Sequence, residues 1–195
     1  MATRYLSVET LKAQTRDGVT VDDNLKESAI QAAETWIDNE LHRQMIKASD
    51  TPSARVFVPA GSDLLHIYDC TSVTSVTENG VLLAAGTDYQ LEPLNGLNDT
   101  GETVPYYRVL RHGRCWYTDN GKATVSIVAT WGWAEIPPQV VEACKIIAQD
   151  ILANRDTRFG LAGITEVAGI RMRENPVVAK MIEHYRFAYK SFGIA

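Results

Sequence analysis

The sequence predicts an α+β protein: a small helical bundle, with two N-terminal and two C-terminal helices, carrying a central antiparallel β-rich domain. Three observations lead there. Apolar residues recur at three- and four-residue spacing up to about Met45, and change to short β-type runs between about Ala54 and Trp133. Asn79-Gly80 sits between two such runs, and this dipeptide tolerates the two positive φ angles of a tight hairpin turn. Ile136-Pro137-Pro138 then closes the β region and opens a helix, since proline is accommodated in a first helical turn.

The elements follow in order. Ser7 can cap a short helix over Val8–Thr15, and Thr20 or Asp22 a longer one reaching about Met45. Along the longer helix Leu25, Ala29, Ala32, Ala33, Trp36, Ile37 and Leu41 form an apolar stripe, while Asp23, Lys26, Glu27, Glu34 and Asp38 fall on the wet side. A polar linker from Lys47 to Pro52 leads into strands at Arg55–Pro59, Leu64–Tyr68, Val73–Glu78, Val81–Leu83, Asp88–Glu92 and Tyr106–Leu110. The stretch from Pro93 to Pro105 reads as an exposed, mobile loop. After a turn ending at Gly121, Val125, Ile127, Ala129, Trp131 and Trp133 alternate with smaller or polar residues, the clearest period-two strand in the chain. Val140, Val141, Cys144, Ile147, Ala148, Ile151 and Leu152 line the next helix to about Asn154. Asn175-Pro176 starts a last one bearing Val177, Val178, Met181, Ile182, Tyr185 and Tyr189. The expected domains are residues 1–50, 51–134 and 135–195.

Bulk properties narrow the function. A chain of 195 residues, 45% hydrophobic, should bury about 70% of its unfolded surface and needs neither disulfide nor metal to fold. Its formal net charge of −5 argues against a partner held through phosphate contacts, which require clustered Lys and Arg. Cys70, Cys115 and Cys144 form no CxxC pair, so neither a zinc framework nor a disulfide scaffold is expected. No signal peptide or membrane span is visible, which points to synthesis in a cytoplasm and no membrane partner.

The search for chemistry returns bland readings. The four histidines are scattered, and His112-Gly-Arg-Cys115 lacks the second ligand pair a metal needs, so it reads as an exposed turn. Cys144 falls on an apolar helix stripe, where an inert buried thiol is the common outcome. Asn120-Gly121-Lys122-Ala123 lacks both the early glycine and the hydroxyl of a phosphate loop. Asp22-Asp23 suits a helix N-terminus, and Glu34 with Asp38 a solvated face. Trp131 and Trp133, two apart on one strand, should share a face and pack in the core. No catalytic residue, metal or cofactor is expected.

One segment resists a bland reading. From Arg158 to Arg171 the chain joins Phe159, Leu161, Ile164, Val167 and Ile170 to three glycines and a single carboxylate. Apolar surface of that extent on a soluble protein is normally a contact site. Arg155, Arg158, Arg171 and Arg173 flank it, and arginine is the cation suited to interfaces.

The order of parts is also recognisable. The opening helices are followed by Thr71-Ser-Val-Thr-Ser-Val76, the Asn-Gly hairpin and Gly86-Thr-Asp-Tyr89. Next come Ala129-Thr-Trp-Gly-Trp-Ala134, Ile-Pro-Pro138 and a helix running into Arg155-Asp156-Thr-Arg-Phe-Gly160-Leu-Ala-Gly163. This series resembles the head-to-tail adaptor proteins of long-tailed bacteriophages over most of the chain, most specifically from Trp131 to Gly163. The resemblance implies a non-enzymatic virion protein of the neck, made in the host cytoplasm. Its partners would be the portal protein, neighbouring copies in a ring of twelve, and a stopper or other tail-side neck protein. Genome DNA would pass through the lumen without sequence-specific binding. The region from about Arg158 would dock on or between portal subunits, and the large β third departs from the smallest, nearly all-helical members. Other readings are a stopper or tail-completion subunit, a small hydrolase or ligand-binding domain near Trp131, Trp133 and Cys144, and a DNA-binding protein with steeply salt-dependent affinity.

Overall fold

The computed structural model describes residues 5–13, 22–98, 101–156 and 176–186. They belong to two compact units, Met1–Gln44 together with Ile136–Ala195, and Met45–Glu135. The fold is mixed α+β, as the sequence predicts.

The first unit is helical: α1 (Val8–Lys12), α2 (Asp23–Leu41), α3 (Pro138–Asp156) and α4 (Pro176–Glu183). Unpaired N–H groups at a helix start need acceptors. Ser7 Oγ accepts from Thr10 N–H (3.1 Å), as expected, and of the two candidates for the second helix it is Asp22 that caps, its Oδ1 accepting from Asn24 N–H (3.1 Å). Helix α2 ends at Leu41 rather than near Met45, because His42 turns left-handed (φ 54°) and ends the hydrogen-bond ladder. α2 packs against α1, α3 and α4, and α3 against α4.

Several side chains in this unit depart from expectation, among them Lys26, read as solvated but 9% exposed with its ammonium 3.3 Å from Asp23 Oδ1. Ala32 is exposed and Ile30 takes its place in the buried stripe of α2. Glu34, expected in water, is 3% exposed. Its Oε1 accepts the backbone N–H of Tyr5 (2.8 Å), while the Tyr5 hydroxyl donates to Asp38 Oδ1. A buried carboxylate is tolerated when it is hydrogen-bonded, and the N-terminal segment supplies the donor. On α4 Val177 is exposed, and the buried stripe is Val178 and Ile182. Tyr185 lies past the helix end, where its hydroxyl donates to Gln139 Oε1 (3.1 Å). Tyr189 lies outside the described residues.

The second unit is a six-stranded antiparallel sheet: β1 (Ser53–Phe57), β2 (Leu64–Glu78), β3 (Val81–Leu83), β4 (Tyr89–Glu92), β5 (Tyr106–Arg111) and β6 (Val125–Trp131). Strand order is β1-β6-β2-β5-β4, with β3 also paired to β2. The expected strands Leu64–Tyr68 and Val73–Glu78 are one. β2 runs through the polar stretch between them, and shifts of register between Cys70 and Ser72 and between Val73 and Ser75 absorb the irregularity. Its first half pairs with β5, its second with β6, and its end with β3 across Asn79 (φ 46°) and Gly80 (φ 80°). The hairpin is therefore the tight positive-φ turn that Asn-Gly favours.

β6 alternates buried and half-buried residues along its length. Ile127, Ala129 and Trp131 join Leu65, Ile67, Val76, Val109 and Trp116 in the sheet's core. The loop expected after β4 is largely exposed, as read, but carries local hydrogen-bonded structure. A 3-10 turn spans Leu94–Gly96, Val104 N–H donates to Gly96 O (2.8 Å), and Asn98 N–H to Glu102 O (3.0 Å).

Candidate functional site

Of the nine residues expected at an interface, only Arg155 falls in a described element, near the end of α3. Arg158, Phe159, Leu161, Ile164, Val167, Ile170, Arg171 and Arg173 lie outside the described residues.

The candidates for chemistry are dispersed. His112 Nδ1 sits 3.2 Å from Thr87 O and its Nε2 3.4 Å from Gln90 Oε1, while Cys115 is exposed at the far side of a bend. Cys144 is fully buried in the helical unit. Cys70 is buried in the sheet, where loss of hydration pushes its thiol up to about 12, too high for a nucleophilic thiolate. Among the described residues no three His, Cys, Asp or Glu side chains gather as a metal site, and no helix is long and apolar enough to cross a membrane.

The Trp131-Gly-Trp133 phrase is a structural joint. β6 ends at Trp131, and Gly132 takes φ 118°. Its N–H donates to Asp69 O (2.6 Å), then Trp133 N–H donates to Ile46 O (2.8 Å) and Ala48 N–H to Trp133 O (2.8 Å). A side chain at 132 would place Cβ 2.4 Å from Ile46 O. Trp133 therefore does not continue the alternation of β6: it bridges to Lys47 and its indole N–H donates to Asp69 Oδ2 (2.7 Å). Trp131 donates to Ser53 O (2.7 Å), and the Arg55 guanidinium lies 4.7 Å from both its ring and that of Tyr68.

Sequence reasoning missed a buried ionic node at the end of β2. Glu78, with its side chain 2% exposed, accepts from Arg111 Nε (3.2 Å), Arg114 Nη2 (2.7 Å) and the backbone N–H of Tyr117 (2.8 Å). Arg111 also pairs with Asp88 (3.4 Å) and donates to the Asp88 carbonyl. The backbone N–H of Ala84, and then Arg111, hold the Asp88 carboxyl below its ordinary range. Period-two parity with Val76 was the available signal, since it turns Glu78 inward. With its side chain buried and three donors from the β5 end and the following loop on its carboxylate, Glu78 ties the β2–β3 hairpin to the loop after β5.

The second missed feature is a groove of about 240 Å³ in the helical unit, between α2 and α4. Trp36, Leu41, Ala179 and Ile182 form its apolar lining. At its rim Arg186 Nη2 lies 2.9 Å from Glu40 Oε1, and Glu183 adds a second carboxylate. Helical spacing on α2 signalled Trp36 and Leu41, but not that α4 would lie beside them.

No protein-family model and no curated protein matches the sequence. Solved structures do. A chain from the neck of an empty gene transfer agent particle, computed with C6 symmetry, superposes with TM-score 0.60 at 17% identity, covering 99% of this chain and 96% of that one. A chain from the neck of the native particle, computed with C12 symmetry, gives 0.57 at 18% identity over 99% and 96%. A chain from the native virion of such a particle gives 0.56 at 18% over 97% and 93%. This chain shares their fold along nearly its full length.

Proposed function

We propose that this chain is a structural neck protein of a phage-like particle: the head-to-tail adaptor, one subunit of a ring that joins the portal to the tail-side neck proteins. It acts by binding other proteins, not by catalysis, and it lets DNA pass through the ring. The observation that carries this reading is coverage. The likeness takes in both the helical and the sheet unit and nearly all of each neighbour, so it is not a shared common sub-fold. Necks computed with sixfold and twelvefold symmetry fit a subunit repeated around an axis. Closed rings repeat one heterologous contact, which multiplies a modest interface energy by the number of copies. An acidic chain suits a conduit, because like charge keeps DNA from sticking while Lys and Arg would hold it.

In this reading the segment from Arg158 to Arg173 is the contact with the portal or a neighbouring subunit, and the sheet unit serves the next neck component or the periphery. Microscopy of particles made with and without the protein tests the role. Without it, filled heads and free tails should accumulate unjoined, and density for the chain should lie between portal and tail. Normal joining in its absence would refute the proposal, and density only on the tail side, without portal contact, would make the chain a stopper or tail-completion subunit instead.

A further inference from the structure

We infer that the groove between α2 and α4 receives the segment 158–171 of a second copy of this chain. The inference rests on the ring reading above and names the contact that closes the ring. A cyclic assembly needs two different complementary patches on every protomer. The groove and the segment are such a pair, and every copy carries both.

Size favours a peptide occupant. At about 240 Å³ the groove is smaller than the roughly 300–1,000 Å³ of most small-molecule pockets. It can still accept a large apolar side chain against Trp36 and Ile182. The segment offers five such side chains, Phe159, Leu161, Ile164, Val167 and Ile170, and its glycines let backbone approach a surface closely.

Charge favours the same pairing. The rim carries two carboxylates, Glu40 and Glu183, against the single guanidinium of Arg186. The segment is bounded by Arg158 and Arg171 with one internal carboxylate, Glu166, and Arg155 and Arg173 lie just outside it. An arginine-flanked apolar strip thus meets an apolar groove with an acidic rim, and such complementarity sets register between partners. Ala179 is exposed in the groove, so its side chain can be changed without touching the core of the bundle.

The test uses assembled particles. Ala179→Arg fills the groove, and incorporation into necks should fall on the order of tenfold or more, as for loss of an interface hot spot, while the circular dichroism of the free chain stays unchanged. Normal incorporation of that variant overturns the inference. In a Cys115→Ser background, particles are also assembled from an equal mixture of A179C chains and I164C chains and then oxidised. A disulfide joining the two kinds of chain is expected. A chain bearing both substitutions that closes on itself instead would assign the groove to its own segment, and a crosslink from position 164 to the portal would assign the segment to that partner; either result overturns the inference. If rings are seen but Ala179→Arg assembles normally, the ring reading stands and only this contact falls. If no ring exists in the neck, both fall together.

Discussion

Replacing Glu78 with alanine should unfold the sheet unit at a markedly lower temperature, because the residue joins elements distant in sequence. Its carboxylate accepts from Arg111, Arg114 and the backbone of Tyr117 with its side chain only 2% exposed. Removing one member of a buried pair leaves the other charge without compensation, which costs about 3–5 kcal/mol. Arg111 keeps Asp88 as a second partner, so the lower end applies, about 3 kcal/mol. For a chain of this size that is a drop in Tm of roughly 6–12 °C. Arg114 provides an internal control: its side chain is 62% exposed, and Arg114→Ala should cost no more than about 1 kcal/mol. Glu78→Gln keeps the volume and part of the hydrogen bonding, so it should fall between. Tryptophan fluorescence is a suitable probe, since Trp116, Trp131 and Trp133 belong to the sheet unit. An E78A protein melting within about 2 °C of the parent, or no more destabilised than R114A, would refute the reasoning.

Other outcomes follow from the same structure. Gly132→Ala combines a left-handed φ with a Cβ 2.4 Å from Ile46 O; it should destabilise by about 2 kcal/mol or more in urea titration, and unchanged stability would show that the 46–48 segment yields freely. Thiol labelling of the native protein at neutral pH, read by mass spectrometry, should modify Cys115 and spare Cys70 and Cys144 until denaturant is added. Asp88 has a depressed pKa when folded, so it stabilises the fold above its unfolded value near 3.8 and loses that contribution as pH falls through the lower, folded value. Asp88→Asn should flatten the acid limb of the stability profile below about pH 4, and an identical limb would exclude the residue. If the proposed adaptor role holds, Phe159→Asp combined with Ile164→Asp should leave a folded chain with which heads and tails stay unjoined, checked by particle counts in the microscope.

Secondary structure was legible where one face of an element decides burial. The alternation of β6, the Asn-Gly hairpin and both helix caps could be read because each depends on neighbours a few residues away. The misreadings share one physical origin, a distant partner. Glu34 looked solvated until Tyr5, 29 residues earlier, supplied its donor. Trp133 looked like the fifth member of an alternating strand face, but a close approach by Ile46 and Ala48 turns the chain at Gly132. β2 looked like two strands because its middle is polar, yet it runs through, pairing with β5 along its first half and β6 along its second. The groove could not be read at all, since it joins residues 36–41 to residues 179–186. The arginine-flanked segment was conspicuous by composition alone, and its neighbours remain for the crosslinking to identify.

β2 carries a further consequence. It is the one strand laddered to β3, β5 and β6, so no two-stranded portion of the sheet unit can detach without breaking its hydrogen bonds. Local fraying can release β1 or β4, but amide protons near Val76 can exchange with solvent only when the whole unit opens. Under a pulling load the unit should therefore hold until it gives way in a single step.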